Sequence, residues 1–380
     1  MNIVFSNSDL LPKLTQVASI INPKSSLPIL SDVHVVIKPD MLVLTGSDGE
    51  TWITERIGNV TADEEFRCCI PASNFLKALR TLDDSTIKMT FNSDANTFTC
   101  DYGNGHFSMP YESAESYPHP SIVTLNMEDT YEQIINSKNL LQAIELTGFA
   151  TANDELRPVM NGIHFDFFPK SMTCASSDGQ KLVRFSDFSI AHFGDMTYSF
   201  TLPKKPATLA LSILSSIDSD VKLSVSDKAM SIRNSDFKLV TRLIEGRYPR
   251  YESVIPKDCT ITAILDKTAF SSALKRVLPM GNAQSMQVVL SFEADAIVVS
   301  AEDFDFSKSA KESIPCKHNA KEGFAISFKG TSLMEVLRNI SDDNVVVEMS
   351  EPNRAAVFYA KDSLTKDEYL SLLMPMLISK

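Results

Sequence analysis

The chain is 380 residues long, with 36 lysines and arginines against 48 aspartates and glutamates, a formal net charge of −12 and 43% hydrophobic residues. That length suits two to four domains, each with enough apolar side chains for a core. No apolar run approaches the roughly 18 residues of a membrane helix, the opening Met1-Asn2-Ile3-Val4-Phe5 lacks a signal-peptide pattern, and six cysteines without C-x-x-C spacing point to reduced thiols in a cytoplasm.

The first predicted helix, 9–24, carries Leu10, Leu14, Val17 and Ile21 on one face at the α period. A strand with alternating Val33, Val35 and Ile37 follows, then the phrase Thr45-Gly46-Ser47-Asp48-Gly49 and another strand. A second helix, 72–81, presents Phe75 and Leu79. Asn104-Gly105, between Phe98-Cys100 and Phe107-Met109, signals a type I′ hairpin. Glu115-Ser116-Tyr117-Pro118 then leads into Pro118-His119-Pro120, a stiff linker because proline confines its neighbours.

The same order returns. Helix 138–149 carries Leu140 and Ile144, Ile163, Phe165 and Phe167 alternate in a strand, and Ala175-Ser176-Ser177-Asp178-Gly179 repeats the acidic turn. Helix 203–214 follows, with Leu209, Leu211 and Ile213 and with Pro206 in its first turn. Glu245-Gly246-Arg247-Tyr248-Pro249 and the run to Pro256 make a second linker. A third round has helix 266–278 with Phe270, Leu274 and Val277, a strand with Val288, Leu290 and Phe292, and the looser phrase Ser300-Ala301-Glu302-Asp303-Phe304. Helix 329–340 with Leu333, Val336 and Ile340 precedes the tail Leu372-Leu373-Met374-Pro375-Met376.

Asp48 and Asp178 are 130 positions apart, and Asp178 and Asp303 are 125 apart. Solenoid units run roughly 20 to 50 residues, so this period marks whole domains. The chain reads as α+β: three tandem copies of a domain with two helices on one face of an antiparallel sheet, bounded at 1–122, 123–252 and 253–380.

Charge is segregated along this pattern. The six predicted helices hold twelve basic and four acidic residues, which leaves 24 basic and 44 acidic residues elsewhere. One such helix is an ordinary solvated face. Six in an acidic chain imply a basic surface facing one way and an acidic one facing another.

Signals for chemistry are weak. His34, His106, His119, His164, His192 and His318 lack metal-ligand spacing. Ser235-x-x-Lys238 and Ser363-x-x-Lys366 match a bare S-x-x-K pattern with no accompanying motif. Gly103-Asn104-Gly105 lacks the flanking helix of a phosphate loop. The recurring Asp-Gly pairs read as β-turns, Asp capping and Gly supplying positive φ. The expectation is a scaffold, not an enzyme, with no cofactor and no metal.

In order and spacing, several phrases resemble the bacterial DNA polymerase III beta subunit, the sliding-clamp family. They are Leu27-Pro28-Ile29-Leu30, Leu44-Thr45-Gly46-Ser47-Asp48, Ser177-Asp178-Gly179-Gln180-Lys181-Leu182, Glu245-Gly246-Arg247-Tyr248-Pro249-x-Tyr251 and Met374-Pro375-Met376. The resemblance covers the whole chain and implies that it forms half of a closed ring, a head-to-tail homodimer around double-stranded DNA. It further implies a peptide pocket for the replicative polymerase catalytic subunit, the clamp loader and other proteins carrying clamp-binding peptides. On this chain the pocket walls would be Met160, Ser177, Gly179, Lys181, Leu182, Pro249, Val254, Leu372, Met374, Pro375 and Met376. The family commonly has His-Arg where Gln180-Lys181 stand, and Arg where Leu377 stands.

Of the basic helix residues, Lys24, Lys77, Arg80, Lys204, Lys205, Lys275 and Arg276 would face phosphates, giving attraction without sequence preference. Phe107 and Met109 would meet Pro279 and Met280 of a second copy. A protein-binding adaptor with three domains and no DNA encirclement is the alternative.

Overall fold

The computed structural model describes residues 1–83, 85–119, 130–190 and 197–378. Outside them lie the expected boundary between 122 and 123, Pro120 of the first linker, His192, and the final Ser379 and Lys380.

Among the described residues one pattern, strand–helix–strand–strand–strand, occurs six times. Its first instance is Asn2–Ser6, α1 (Asn7–Ala18), Asp32–Lys38, Met41–Ser47 and Thr51–Ile57. The second opens with Phe66–Pro71 and α2 (Ala72–Arg80) and closes with Gly105–Pro110. Those around α3 (Ser137–Gly148) and α4 (Lys204–Leu214) close with Lys181–Asp187 and Phe237–Arg242. Those around α5 (Lys267–Val277) and α6 (Gly330–Arg338) close with Lys308–Pro315 and Tyr369–Leu373. Within each domain the two half-domains exchange their opening strands. Asn2–Ser6 pairs with Thr86–Asn92 of the second half, and Phe66–Pro71 pairs with Asp32–Lys38 of the first. The same exchange recurs in the middle and last domains.

The chain gathers into two compact units, Met1–Leu141 with Lys205–Glu245, and Gln142–Lys204 with Gly246–Lys380. The first holds a five-stranded and an eight-stranded antiparallel sheet, the second a nine-stranded and a four-stranded one. The eight-stranded sheet joins two domains where Phe237–Arg242 pairs with Thr51–Ile57. The nine-stranded sheet joins two where Tyr369–Leu373 pairs with Lys181–Asp187. In each join the strands are the closing strands of their half-domains. Among the described residues two closing strands remain at sheet edges, Gly105–Pro110 and Lys308–Pro315.

The helices form where the apolar stripes predict. Leu10, Leu14 and Val17 of α1, Phe75 and Leu79 of α2, Phe270, Leu274 and Val277 of α5, and Leu333 and Val336 of α6 are all buried. α1 ends at Ala18, short of the expected 24, because the Ser19 N–H and hydroxyl both bond the Gln16 carbonyl and turn the chain away. Ile21 and Lys24 therefore lie beyond the helix. In α4 the buried side chains are Pro206, Ala207, Leu209, Ala210, Ile213 and Leu214. Leu211 is only half-buried, since the α period, not alternation, sets the face.

The Gly-Asn hairpin forms, with Tyr102 opposite Gly105, so its central residues are Gly103 and Asn104. Only Gly103 of these two has positive φ, at 45°, which is the type II′ pattern and not I′. The acidic turns are Asx turns. Asp48 Oδ1 accepts from the N–H of Glu50 (3.1 Å) and Thr51 (2.9 Å), and Asp178 Oδ1 from Gln180 (2.9 Å) and Lys181 (2.8 Å). Gly49 and Gly179 supply φ of 93° and 89°.

The third copy is aligned differently than its acids suggest. Cross-strand register sets Asp303 opposite Lys308, as Ser47 is opposite Trp52 and Ser177 opposite Leu182. Asp303 thus takes the place of the buried serines and is itself only 3% exposed. Phe304 takes the place of the capping aspartates.

Candidate functional site

The best-defined site lies in the second unit, around the strand pair Lys181–Asp187 and Tyr369–Leu373. Leu182 faces Leu372 across this pair. They join Ala175, Tyr248, Tyr251, Ala355, Val357 and Leu370 in one apolar cluster, with Val159 and Ile255 packed against it. The tyrosines come from the Gly246-Arg247-Tyr248-Pro249 segment and the 3-10 turn Tyr251–Val254. They are fixed from behind. His164 stacks on Tyr248 at 4.6 Å between ring centroids, and its Nε2 lies 3.2 Å from Asp166 Oδ1. The Tyr251 hydroxyl donates to Asp166 Oδ2 at 2.8 Å. Burial works against the Asp166 charge, but hydrogen bonds from His164, Ser199 and Tyr251 outweigh it and hold the carboxyl below its ordinary range. Burial raises both tyrosine hydroxyls, so they stay protonated.

Above this floor the expected pocket residues divide. Pro249 and Val254 are exposed at the rim, Val254 by 56%. Met160 is buried in the 3-10 turn Pro158–Asn161, which presents Val159 to the cluster. Ser177 is buried and its hydroxyl accepts the Gly179 N–H at 3.1 Å. Gly179 itself is exposed beneath the Arg157 guanidinium, whose nitrogens would lie 3.5 Å from a Cβ there. Lys181 is a buried cation held by Glu335 at 2.8 Å and Asp178 at 3.1 Å. Burial opposes its charge, yet these carboxylates raise its pKa overall.

The tail leaves its strand early. Tyr369–Leu373 stops at Leu373, after which the Met374 N–H donates to the Gln180 carbonyl (2.8 Å) and the Met376 N–H to the Ser327 carbonyl (2.8 Å). Pro375 has no N–H to continue a ladder. Met374, Pro375 and Met376 instead line a cleft of about 250 Å³ with Gln180, Gln284, Ser285, Lys329, Ser332 and Leu373. Met374 is 44% exposed there. Sequence reasoning missed the polar residues of this cleft, and also Tyr248, Tyr251, His164 and Arg157. A signal for the floor was present: His34 with Tyr117 in the first domain repeats His164 with Tyr248, and that pair also stacks, at 5.0 Å.

Lys24, Lys77, Arg80, Lys204, Lys205, Lys275 and Arg276 are all exposed. Lys77 and Arg80 lie in the last turn of α2, and Lys275 and Arg276 in that of α5, where cations complement the helix dipole. Two are held by acids: Lys205 by Asp48 at 2.6 Å, and Arg276 by Glu312, with Nε at 2.7 Å. Phe107 and Met109 are half-buried on the edge strand Gly105–Pro110. Pro279 and Met280 form an exposed 3-10 turn packed against the other edge strand, Lys308–Pro315. Among the described residues no group of three His, Cys, Asp or Glu could hold a metal ion.

Three family models match in order: the DNA polymerase III beta subunit N-terminal domain over 1–121, the central domain over 134–250 and the C-terminal domain over 252–376. A beta sliding clamp of Haemophilus influenzae is 25% identical over 350 residues, 91% of this chain and 92% of that protein. One from Vibrio cholerae is 24% identical over 382 residues, 99% of this chain and 100% of that protein. A crystal structure of a Pseudomonas aeruginosa sliding clamp bound to griselimycin shares the fold with a TM-score of 0.91, at 21% identity and full coverage of both chains. A crystal structure of the C. crescentus beta sliding clamp with PEG bound at its beta-motif tethering region has a TM-score of 0.90 at 21% identity, covering 100% of this chain and 99% of that one. Matched from residue 1 to 376 by these consecutive models, the chain belongs to the DNA polymerase III beta subunit family.

Proposed function

We infer that this chain is a DNA sliding clamp, a non-catalytic processivity factor. Two copies join head to tail into a ring that encircles double-stranded DNA without sequence preference. The ring tethers the replicative polymerase, the clamp loader and other proteins carrying clamp-binding peptides. The observation that carries the reading is the family match across three consecutive domains. It is supported by the two closing strands left at sheet edges, since unpaired edges are templates for pairing with another chain. Nothing observed favours the adaptor without DNA encirclement. We place three clamp domains at 1–122, 123–252 and 253–380, and the protein in the cytoplasm. No helix among the described residues is long and apolar enough to cross a membrane.

For the peptide pocket the reading takes the cluster surface around Leu182 and Leu372, with Pro249 and Val254 at its rim, continuing past Gly179 and Lys181 to Met374, Pro375 and Met376. Lys24, Lys77, Arg80, Lys204, Lys205, Lys275 and Arg276 supply phosphate attraction, and Phe107, Met109, Pro279 and Met280 lie at the contact between copies. The test is topological. Clamp loaded on nicked circular DNA should stay bound through a high-salt wash and be released when the circle is cut. Equal retention on linear DNA would refute encirclement.

A further inference from the structure

Phe304 and Phe306, 75% and 71% exposed, stand at the tip of the turn that precedes the edge strand Lys308–Pro315. We propose that this aromatic tip docks on Pro110 and the first turn of α2 of a second copy of the chain. The inference rests on the head-to-tail dimer reading and adds to it a register and a contact.

The two joins inside the chain set the rule. In the first, Thr51 is opposite Thr241 and Glu55 opposite Phe237. One step further the Arg242 N–H donates to the Glu50 carbonyl at 3.1 Å, and their side chains pair at 3.2 Å. Asp48, at the start of the same turn, reaches Lys205 in the first turn of α4 at 2.6 Å. In the second join, Lys181 is opposite Leu373, and again one step further the Met374 N–H donates to the Gln180 carbonyl at 2.8 Å. Both joins therefore share one geometry: the turn before one closing strand rests on the residue at the end of the other.

The free edges carry the same parts. Cross-strand register makes Phe304 and Phe306 the counterparts of Asp48 and Glu50. It makes Pro110, opposite Thr97, the counterpart of Arg242, opposite Ala229. Ser73, second in α2, corresponds to Lys205, second in α4. A third join between copies then sets Ser307 opposite Met109 and Ser309 opposite Phe107, with Phe306 on Pro110 and Phe304 near Ser73.

Both sides of this contact change character together. Pro110 cannot donate the backbone hydrogen bond that Arg242 and Met374 make. An aromatic ring against the proline ring replaces it, and apolar burial replaces the ion pairs. Two large exposed phenylalanines at one tip otherwise leave apolar surface in water. The occupant follows from the repeat: each counterpart turn already rests on another domain of this same fold.

The experiment uses the full-length chain. The double variant F304A/F306A should weaken dimerisation, read by sedimentation equilibrium, by roughly 30-fold or more, as expected for a buried aromatic anchor. At concentrations where both proteins are monomeric its thermal unfolding profile should match wild type, because both rings are exposed in the isolated fold, Phe306 with the Lys308 ammonium over it at 5.0 Å. The pair P110C/F306C should oxidise to a covalent dimer, since antiparallel neighbours fall in disulfide range, whereas S108C/F306C, two residues out of register, should not. An unweakened F304A/F306A dimer, with S108C/K308C still cross-linking, would overturn the aromatic contact and leave the dimer reading standing. A chain that stays monomeric at every concentration, with no pair cross-linking, would overturn both.

Discussion

Glu55 and His34 are buried titratable residues of the first unit that pull stability in opposite directions with pH. Glu55 is 3% exposed, and burial, opposed by Lys13 at 3.3 Å, raises its carboxyl to about 7. His34 is 7% exposed against Tyr117, and burial, aided by His119 and Arg67, lowers its imidazole to about 4. The folded state holds the Glu55 proton more tightly than the unfolded chain does. Stability is therefore lost as pH rises from the ordinary carboxylate value to about 7. For His34 the unfolded chain binds the proton more tightly, so stability is gained as pH rises from about 4 to the ordinary value of 6.5. Each shift corresponds to about 3 kcal/mol, so between pH 4.5 and 6.5 the two slopes largely cancel. Asp32, raised to about 6 by burial and by Glu112, adds to the Glu55 side. Glu55→Gln should flatten the profile across pH 4 to 6, leaving His34 opposed by Asp32, and His34→Gln should give an uninterrupted fall across pH 4.5 to 7. Urea unfolding at a series of pH values, followed by the single Trp52, buried in the same unit, reads both. Parallel pH profiles for the two variants would contradict the opposed shifts.

At the scale of elements, the helices as they fold hold ten basic residues and three acidic ones, in a chain of net charge −12. Lys77, Arg80 and Lys275 are exposed in last turns, where the helix C-terminus steadies a cation. Replacing any one with Ala should weaken association with DNA to the same degree on every sequence. It should also flatten the plot of log affinity against log salt by about 0.9. Titrations of two unrelated duplexes over a salt series test this, and a sequence-selective loss would contradict backbone recognition. Lys205 and Arg276 should matter less, because Asp48 and Glu312 already occupy them. These helices were legible because an apolar face at period 3.6 is a local signal. Their ends were less so: Ile21 extends the period of α1, yet the Ser19 bonds to Gln16 stop the helix. The exchange of opening strands was not legible at all. Asn2–Ser6 pairs with a strand beyond α2, and no local pattern records that partner. The third acidic turn was misaligned because its aspartate was matched by identity, while strand register matches it to a serine. Of the candidate site, the phrase from Ser177 to Leu182 leads into the strand Lys181–Asp187 and Met374-Pro375-Met376 follows the strand Tyr369–Leu373. The His164–Asp166–Tyr251 floor stayed hidden because Tyr251 lies 85 residues from Asp166 on the strand Gly162–Phe168, and no local pattern records that contact.

For the whole molecule, the proposed reading has one recognition patch per copy serving every partner, so partners should compete and a ring of two copies should offer two places. The patch suits this task chemically, since polarizable methionines repack around different side chains. Its tail can be altered without disturbing the fold. The tail is tied down by backbone groups, Met374 N–H to Gln180 and Met376 N–H to Ser327, and by the Leu377 carbonyl, which accepts from Gln287 Nε2 at 2.8 Å. Alanine at 374 and 376 keeps all three bonds. Truncation from Leu372 would not be so mild, because Leu372 and Leu373 are buried in the strand that joins two domains. M374A/M376A should therefore leave dimerisation and unfolding unchanged while weakening clamp-binding peptides. Anchors in a desolvated pocket are worth about 2 kcal/mol or more each, so roughly a thousandfold loss is expected for the pair if their effects add. Fluorescence anisotropy of one labelled peptide, titrated with wild type and with the variant, measures the loss. Displacement of that peptide by the polymerase and by the clamp loader tests whether all share the patch. Unchanged peptide affinity in the variant would confine the tail to a structural role and move the patch to the Leu182–Tyr248 surface alone.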